Sequence, residues 1–376
     1  MKGKRTLLVL ALATAALLPA HSQGLPTDGP LTVRPLLQQL GTRLLKGKTG
    51  SIVAIRPETG DIICLCTNSP TGTDTQLAIG KAYAPGSTFK TAQALTLLSE
   101  GLVSEETTVD CDGAFIDGNI RVGCHKHSSP LNLRQALAYS CNSWFLSTFM
   151  AMLNDDDVYA NRNEAVTTWH DYMTSMGLGG PLGTDIEGEK GGLVANVNYL
   201  NRRYKNAWDA RTILWAGMGQ GDITVTPLQL CNLAVTIANR GFFYTPHIHA
   251  ATQQRPLPER YRRKRQTRAT PEAYATVVRG MRLAVEHGTC AAINTTYPIC
   301  GKTGTVENPG RDHSAFIGFA PMNDPKIAIA VYIEHGGFGA DLAAPIAALI
   351  IEDYLKGTLS TSSQSKARAI ENQKTR

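Results

Sequence analysis

An α+β fold, with an antiparallel sheet covered by helices, is predicted by three observations on the 376-residue chain. A pair of β-rich runs stands near the start, helical runs fill the middle, and three strand-like runs precede a closing helix. With 43% hydrophobic and 18% charged residues and no visible internal repeat, the chain suits one large globular domain.

The first 22 residues read as an export signal. Lys2, Lys4 and Arg5 precede the apolar run Leu7 to Leu18, and Ala20 and Ser22 are the small residues that signal peptidase prefers. Cleavage is expected before Gln23, because the apolar run is short for spanning a bilayer and Pro19 interrupts its end. The mature protein is then exported, to the periplasm or the outer face of the cytoplasmic membrane. Residues 23–36 are punctuated by Pro and Gly and read as a linker, and 37–356 are expected to form the domain.

Leu37 to Leu45 spaces its apolar residues as a helix does. Ser51 to Arg56 and Asp61 to Cys66 are strands joined by the turn Pro57-Glu58-Thr59-Gly60. Thr88 to Leu98 is a helix ended by Gly101, and Leu131 to Tyr139 and Trp144 to Met152 are two more. Residues 153–168, acidic and Asn-rich, read as an exposed connection. Residues 177–192 form a glycine-rich loop without a phosphate-binding pattern. Leu228 to Asn239 is a buried helix and Pro271 to His287 another. Cys300 to Val306, Ser314 to Ala320 and Ile327 to Glu334 are the late strands, and Ala343 to Leu355 is the closing helix. Residues 357–376, rich in Ser, Lys and Gln, read as a disordered polar tail.

The formal charge is +6, of which the basic start of the export signal supplies three. Residues 255–268 hold seven Lys/Arg against Glu259, a run that reads as a solvated surface loop able to touch anionic polymer or headgroups. The export signal argues against nucleic acid as a partner.

Three short motifs carry chemistry. In Pro85-Gly86-Ser87-Thr88-Phe89-Lys90, Ser87 falls in the first turn of a helix, and Lys90 three residues on shares its face. A serine hydroxyl attacks only when a base takes its proton, and a lysine serves as that base when burial or a second cation lowers its pKa. Lys302, in Lys302-Thr303-Gly304-Thr305, is such a cation. Ser140-Cys141-Asn142 stands between them. A lone S-x-x-K is common on helix surfaces, but S-x-x-K, S-x-N and K-T-G-T in that order form the pattern of the penicilloyl-serine transferases.

From about Leu31 to Leu355 the chain resembles the transpeptidase domain of class B penicillin-binding proteins, specifically the elongation-type (penicillin-binding protein 2-like) members. Beyond the motifs, the resemblance rests on Thr59-Gly60-Asp61-Ile62, the run 177–185, Gly219-Gln220-Gly221 with Thr226-Pro227-Leu228-Gln229, the run 312–321, Gly336-Gly337-Phe338-Gly339 and Ala343-Ala344-Pro345. It implies the penicillin-binding-protein/β-lactamase-like fold with an all-helical subdomain. It also implies a serine D,D-transpeptidase that cross-links peptidoglycan stem peptides through an acyl-enzyme on Ser87 and is inhibited by β-lactams. Lys90 would take the Ser87 proton, Ser140 would relay a proton toward the leaving or incoming amine, and Asn142 would orient Lys90 and the substrate amide. Lys302 would keep the potential positive, and Thr303 and Thr305, flanking Gly304, would hold the substrate carboxylate. The rival readings are a D,D-carboxypeptidase, a β-lactam-binding sensor or scaffold, and a β-lactamase using Glu187 or Glu189. Expected partners are a D-Ala-D-Ala donor, an amine acceptor and β-lactams. A glycan polymerase is a further candidate partner, although the chain runs from its leader almost directly into Leu31-Thr32-Val33 without the family's pedestal.

The eight cysteines are the other departure. Catalysis of this type requires no cofactor, but Cys111, Cys124, His127 and Cys141 suit a closed, structural Zn²⁺ site, with His125 a competing ligand. Some elongation-type relatives resemble this in carrying a metal beside the S-x-N motif. The alternative is a Cys111–Cys124 disulfide, which an oxidising compartment favours, with Cys141 as a core residue. Cys290 and Cys300 are a candidate pair, and Cys64 and Cys66 read as core.

Overall fold

The apolar alternation of the strand runs becomes a central sheet in the computed structural model, which describes residues 25–26, 28–69, 77–293 and 295–375. The export signal predicted for residues 1–22 lies outside them. Helix α1 (Pro35–Leu44) leads to β1 (Gly50–Ile55) and β2 (Ile62–Asn68), and a 3₁₀ turn at Gly86–Phe89 opens α2 (Lys90–Ser99). A hairpin of β3 (Ala114–Asp117) and β4 (Ile120–Gly123) precedes α3 (Leu133–Tyr139), α4 (Asn142–Leu153) and α5 (Arg162–Ser175). Then come α6 (Pro227–Ala238), α7 (Pro271–Glu286), β5 (Cys300–Val306), β6 (His313–Ala320), β7 (Ile327–Ile333), α8 (Ala343–Lys356) and α9 (Thr361–Asn372).

The five-stranded sheet has the order β2-β1-β7-β6-β5, antiparallel throughout. Both faces are covered, because successive side chains on a strand point to opposite sides. Ile52 and Ala54 of β1 and Ile327, Ile329 and Val331 of β7 pack in one core with Leu37, Leu40, Ile346 and Ile350 from α1 and α8. Val53, Ile55, Ala328 and Ala330 pack in the other with α6. Every residue of α6 is buried, its polar Gln229, Asn232 and Thr236 included, as suits a helix with apolar residues on all sides. Its start is fixed by Pro227 in the first turn and a reciprocal capping box between Thr226 and Gln229.

On the far side of α6 the same core continues between the helices. Phe89 and Phe149 stand against Trp169 at 6.1 and 5.6 Å between ring centroids, and Trp144 against Phe145 at 5.0 Å. This helical layer and the sheet edge at β5 are the two walls of the site below. Among the described residues no helix is long and apolar enough to cross a membrane.

Four sequence expectations are corrected. The stretch 153–168, read as an exposed connection, contains the start of α5: Asn161 caps it, and Val166, Trp169 and Met173 form its buried stripe. The run 255–268 is partly ordered as a strand, Lys264–Gln266, paired with Phe242–Tyr244. Cys290 and Cys300 do not pair. All eight cysteines are free, and these two side chains enter different cores.

The tail is not disordered. Ser360 caps α9, whose Ala367 and Ile370 are buried with α1 and α8. The fully buried Lys48 ammonium donates to the Ile370 carbonyl at 2.6 Å and to the Lys46 carbonyl at 3.1 Å; Gln373 N–H donates to the same Ile370 carbonyl at 3.1 Å, so the ammonium adds a second donor at the helix end. Ser363 donates to the buried Glu352 carboxylate. Ile370→Ala is therefore expected to cost about 2–3 kcal/mol in urea unfolding; a solvated tail would give no change.

Candidate active site

Ser87 sits on the 3₁₀ turn, half-buried, directly before α2. The turn is tight because Gly86 has φ +55°, open to glycine, and donates its N–H to the Gly219 carbonyl at 2.8 Å. Thr88 Oγ1 bonds back to the Pro85 carbonyl at 2.7 Å.

Lys90 follows one turn later and is fully buried. Its ammonium donates to the Ser140 carbonyl at 2.8 Å, to Asn142 Oδ1 at 2.6 Å and toward Ser140 Oγ at 3.4 Å. Those contacts use all three of its donors. Burial, then the positive charge of Lys302, pushes its pKa down to about 7. Ser140 and Asn142 reach Lys90 because the chain reverses sharply between two helices. Ser140 ends α3 in the left-handed conformation, φ 59° and ψ 40°, and Cys141 caps α4, so Asn142 opens that helix. Asn142 Nδ2 donates to the Gly123 carbonyl at 2.7 Å, which fixes the amide so that its oxygen faces Lys90.

The opposite wall is β5. Lys302 is fully buried, donates to the Thr303 carbonyl at 3.1 Å, and is pushed down to about 8 by burial. Gly304 lies where a Cβ would stand 3.0 Å from Thr88 Cγ2 and 3.2 Å from the Pro85 carbonyl, so the strand closes onto the Ser87 turn. Thr303 bonds Thr289 between hydroxyls at 2.7 Å, and Thr305 Oγ1 accepts from Gly339 N–H at 3.4 Å.

Ser87, Ser140, Asn142, Thr303 and Thr305 thus line one cleft of about 300 Å³, with Lys90 and Lys302 buried around it. Gln220, Glu307, Asp312 and Phe338 also line it and were not singled out as site residues from sequence. Gln220 and Phe338 lie in glycine-flanked stretches that carry the family resemblance, which was the available signal. Glu189 is engaged elsewhere. Its carboxylate accepts the Leu182, Gly183 and Thr184 N–H groups at 2.6, 2.9 and 2.8 Å, so it organises the glycine-rich loop. Neither Glu187 nor Glu189 lines the cleft.

Behind the Ser140 turn, the ligand atoms of Cys111, Cys124, His127 and Cys141 all lie within 4.8 Å of one another. His125 is not in that group and lines the Ser87 cleft instead. Cys124 Sγ stands 3.4 Å from His127 Nε2, while His127 Nδ1 contacts the Ser128 carbonyl at 2.7 Å. The sulfurs accept from Asn142 N–H at 3.1 Å, Ser143 Oγ at 3.1 Å and Trp144 N–H at 3.4 Å. The Cys124 thiol is pushed down to about 3, first by its hydrogen bond with Cys141, whose own thiol is pushed up.

Residues 50–352 match the family described as Penicillin binding protein transpeptidase domain. The chain is 30% identical over 363 residues to the peptidoglycan D,D-transpeptidase MrdA of Acinetobacter baumannii, covering 82% of this chain and 52% of that protein. It is 26% identical over 391 residues to the peptidoglycan D,D-transpeptidase PbpA of Mycolicibacterium smegmatis, covering 86% and 72%. The chain spans about half the length of the MrdA relatives it matches. Among solved structures, Pseudomonas aeruginosa PBP2 in complex with WCK 5153 superposes with a TM-score of 0.76 at 26% identity, covering 89% of this chain and 80% of that one.

Proposed function

The chain belongs to the penicillin-binding-protein transpeptidase family, and from that membership we propose a serine D,D-transpeptidase of peptidoglycan stem peptides that β-lactams acylate. One observation carries the proposal: a desolvated Lys90, pushed down to about 7, is held by Ser140 and Asn142 at the cleft that Ser87 lines. A lysine so placed is neutral in a large fraction of molecules near pH 7 and can accept a proton.

Neutral Lys90 takes the Ser87 proton as Oγ attacks the penultimate D-Ala carbonyl. Backbone N–H groups of Ser87 and Thr305 hold the oxyanion, donors fixed before the charge develops. The C–N bond breaks, Ser140 passes its proton to the departing amine and takes in exchange the one Lys90 holds, and D-Ala leaves with Lys90 neutral again. A second stem-peptide amine then attacks the ester, forming the cross-link and freeing Ser87. Lys302, Thr303 and Thr305 receive the donor's terminal carboxylate, and Asn142 aligns its amide. The expected setting is outside the cytoplasmic membrane, and a glycan polymerase is a candidate partner.

The test supplies a D-Ala-D-Ala peptide with and without an amine acceptor and follows D-Ala release and products by mass spectrometry. Amine-captured product supports transfer. Release with water capture alone makes the protein a carboxypeptidase, and no release with a stable β-lactam adduct makes it a binding scaffold.

The Cys/His cluster fits a metal in its donor chemistry. Cys111, Cys124 and Cys141 would supply thiolates and His127 its Nε2, with Nδ1 held by the Ser128 carbonyl and the sulfurs by N–H and hydroxyl donors. Zinc bound there would be structural, tying the β4 end to the turn that carries Ser140 and Asn142. About one equivalent of zinc is expected in the purified protein. Cys124→Ser is expected to lose it and to cost on the order of 3 kcal/mol or more in unfolding free energy. Zinc-free protein two mass units lighter than its fully reduced form would instead support a Cys111–Cys124 disulfide.

A further inference from the structure

Thr289 lies outside every motif, yet it joins the two walls of the cleft. It follows α7 through His287 and Gly288, where the chain folds back with Gly288 N–H on the Ala284 carbonyl at 3.1 Å and Cys290 N–H on the same carbonyl at 2.9 Å. Thr289 N–H donates to the Ala138 carbonyl at 3.1 Å, two residues before Ser140. The approach is close: a Cβ on Gly288 would stand 2.3 Å from the Ala138 carbonyl oxygen, so only glycine fits. On its other side, Thr289 Oγ1 lies 2.7 Å from Thr303 Oγ1.

We infer that Thr289 is a positioning residue that sets the Thr303 hydroxyl for the substrate carboxylate and fixes its distance from the Ser140 turn. The inference rests on the transpeptidase reading above. A hydroxyl has one proton, so Thr303 donates to a carboxylate only when its Oγ1 accepts from elsewhere. Thr289 O–H is placed to be that donor. The bond orients the Thr303 proton toward the cleft and polarises it, as chained hydrogen bonds do. Thr303 is almost fully buried, so solvent gives it few alternative donors. The Thr289 main chain, anchored on Ala138, keeps this hydroxyl pair in register with Ser140, which moves protons in the same reaction.

The test compares acylation rate constants for benzylpenicillin and for its methyl ester, which lacks the carboxylate. Thr289→Val, which keeps the shape and removes the hydroxyl, is expected to lose about tenfold with the acid, the scale of one hydrogen bond to a charged group, and little with the ester. Thr289→Ser is expected to restore most of the rate. In a Thr303→Val background, Thr289→Val is expected to add no further loss. Equal losses for acid and ester, full additivity with Thr303→Val, or a serine variant as slow as the valine variant would each overturn the inference. Should Thr289→Val fail to fold, Thr289→Ala enters the same comparison. Wild-type protein that neither substrate acylates would instead overturn the parent reading, so the two failures are distinguishable.

Discussion

Lys90→Met is expected to lower the β-lactam acylation rate by about 10³-fold, the scale of a general base lost from its reaction. The substitution removes the proposed base, and it strands the Ser140 carbonyl and the Asn142 amide oxygen that the ammonium holds at 2.8 and 2.6 Å. The wild-type pH profile has a definite sign. The proposed mechanism needs Lys90 neutral and Lys302 charged. Below the Lys90 value of about 7 the neutral fraction falls tenfold per pH unit, so the rate rises with pH through that region. Above the Lys302 value of about 8, its charge is lost and the rate declines. A bell with its maximum between these values is the expected profile, read from acylation rate constants across pH.

The two lysines are also linked. Lys302 is the second cause, after burial, of the low Lys90 value. Lys302→Met is therefore expected to move the acid limb to higher pH as well as to slow the reaction through the lost carboxylate contact. An acid limb that stays in place would mean that burial alone sets the base.

Much of this site was legible in the chain because it rests on local geometry and residue chemistry. Three residues of spacing place Ser87 on the turn and Lys90 at the start of the helix that follows it, and the alternation of Ile327 to Ile333 required a strand covered on both faces. What escaped depends on tertiary contact. Helix α9 has few apolar residues, and its order comes from Ile370 and Ala367 packing on α1 and α8 and from the Lys48 ammonium at its end. Helix α5 was obscured by the acidic, Asn-rich stretch that leads into it, although Asn161 is an ordinary cap. The hairpin of β3 and β4 carries a usable signal in Gly118-Asn119, set against a flank dominated by cysteine and histidine. Thr289 has no signature of its own. Its role arises only because α7 and α3 pack side by side, bringing Gly288 onto the Ala138 carbonyl.

The cysteine cluster was legible as a set but not in its membership. Sequence spacing left His125 and His127 as competitors, and the structure separates them: His127 turns inward to Cys124, and His125 lines the Ser87 cleft. Cys141, buried between Ser140 and Asn142, links the two sites through the turn itself.

The central claim, that Ser87 is an acylated nucleophile, is tested most directly by intact-mass spectrometry of the protein with benzylpenicillin beside Ser87→Ala. A single stable adduct the mass of one intact β-lactam on the wild type, and none on the variant, is the predicted result. An adduct that persists in Ser87→Ala, or a wild type that forms none, would contradict it.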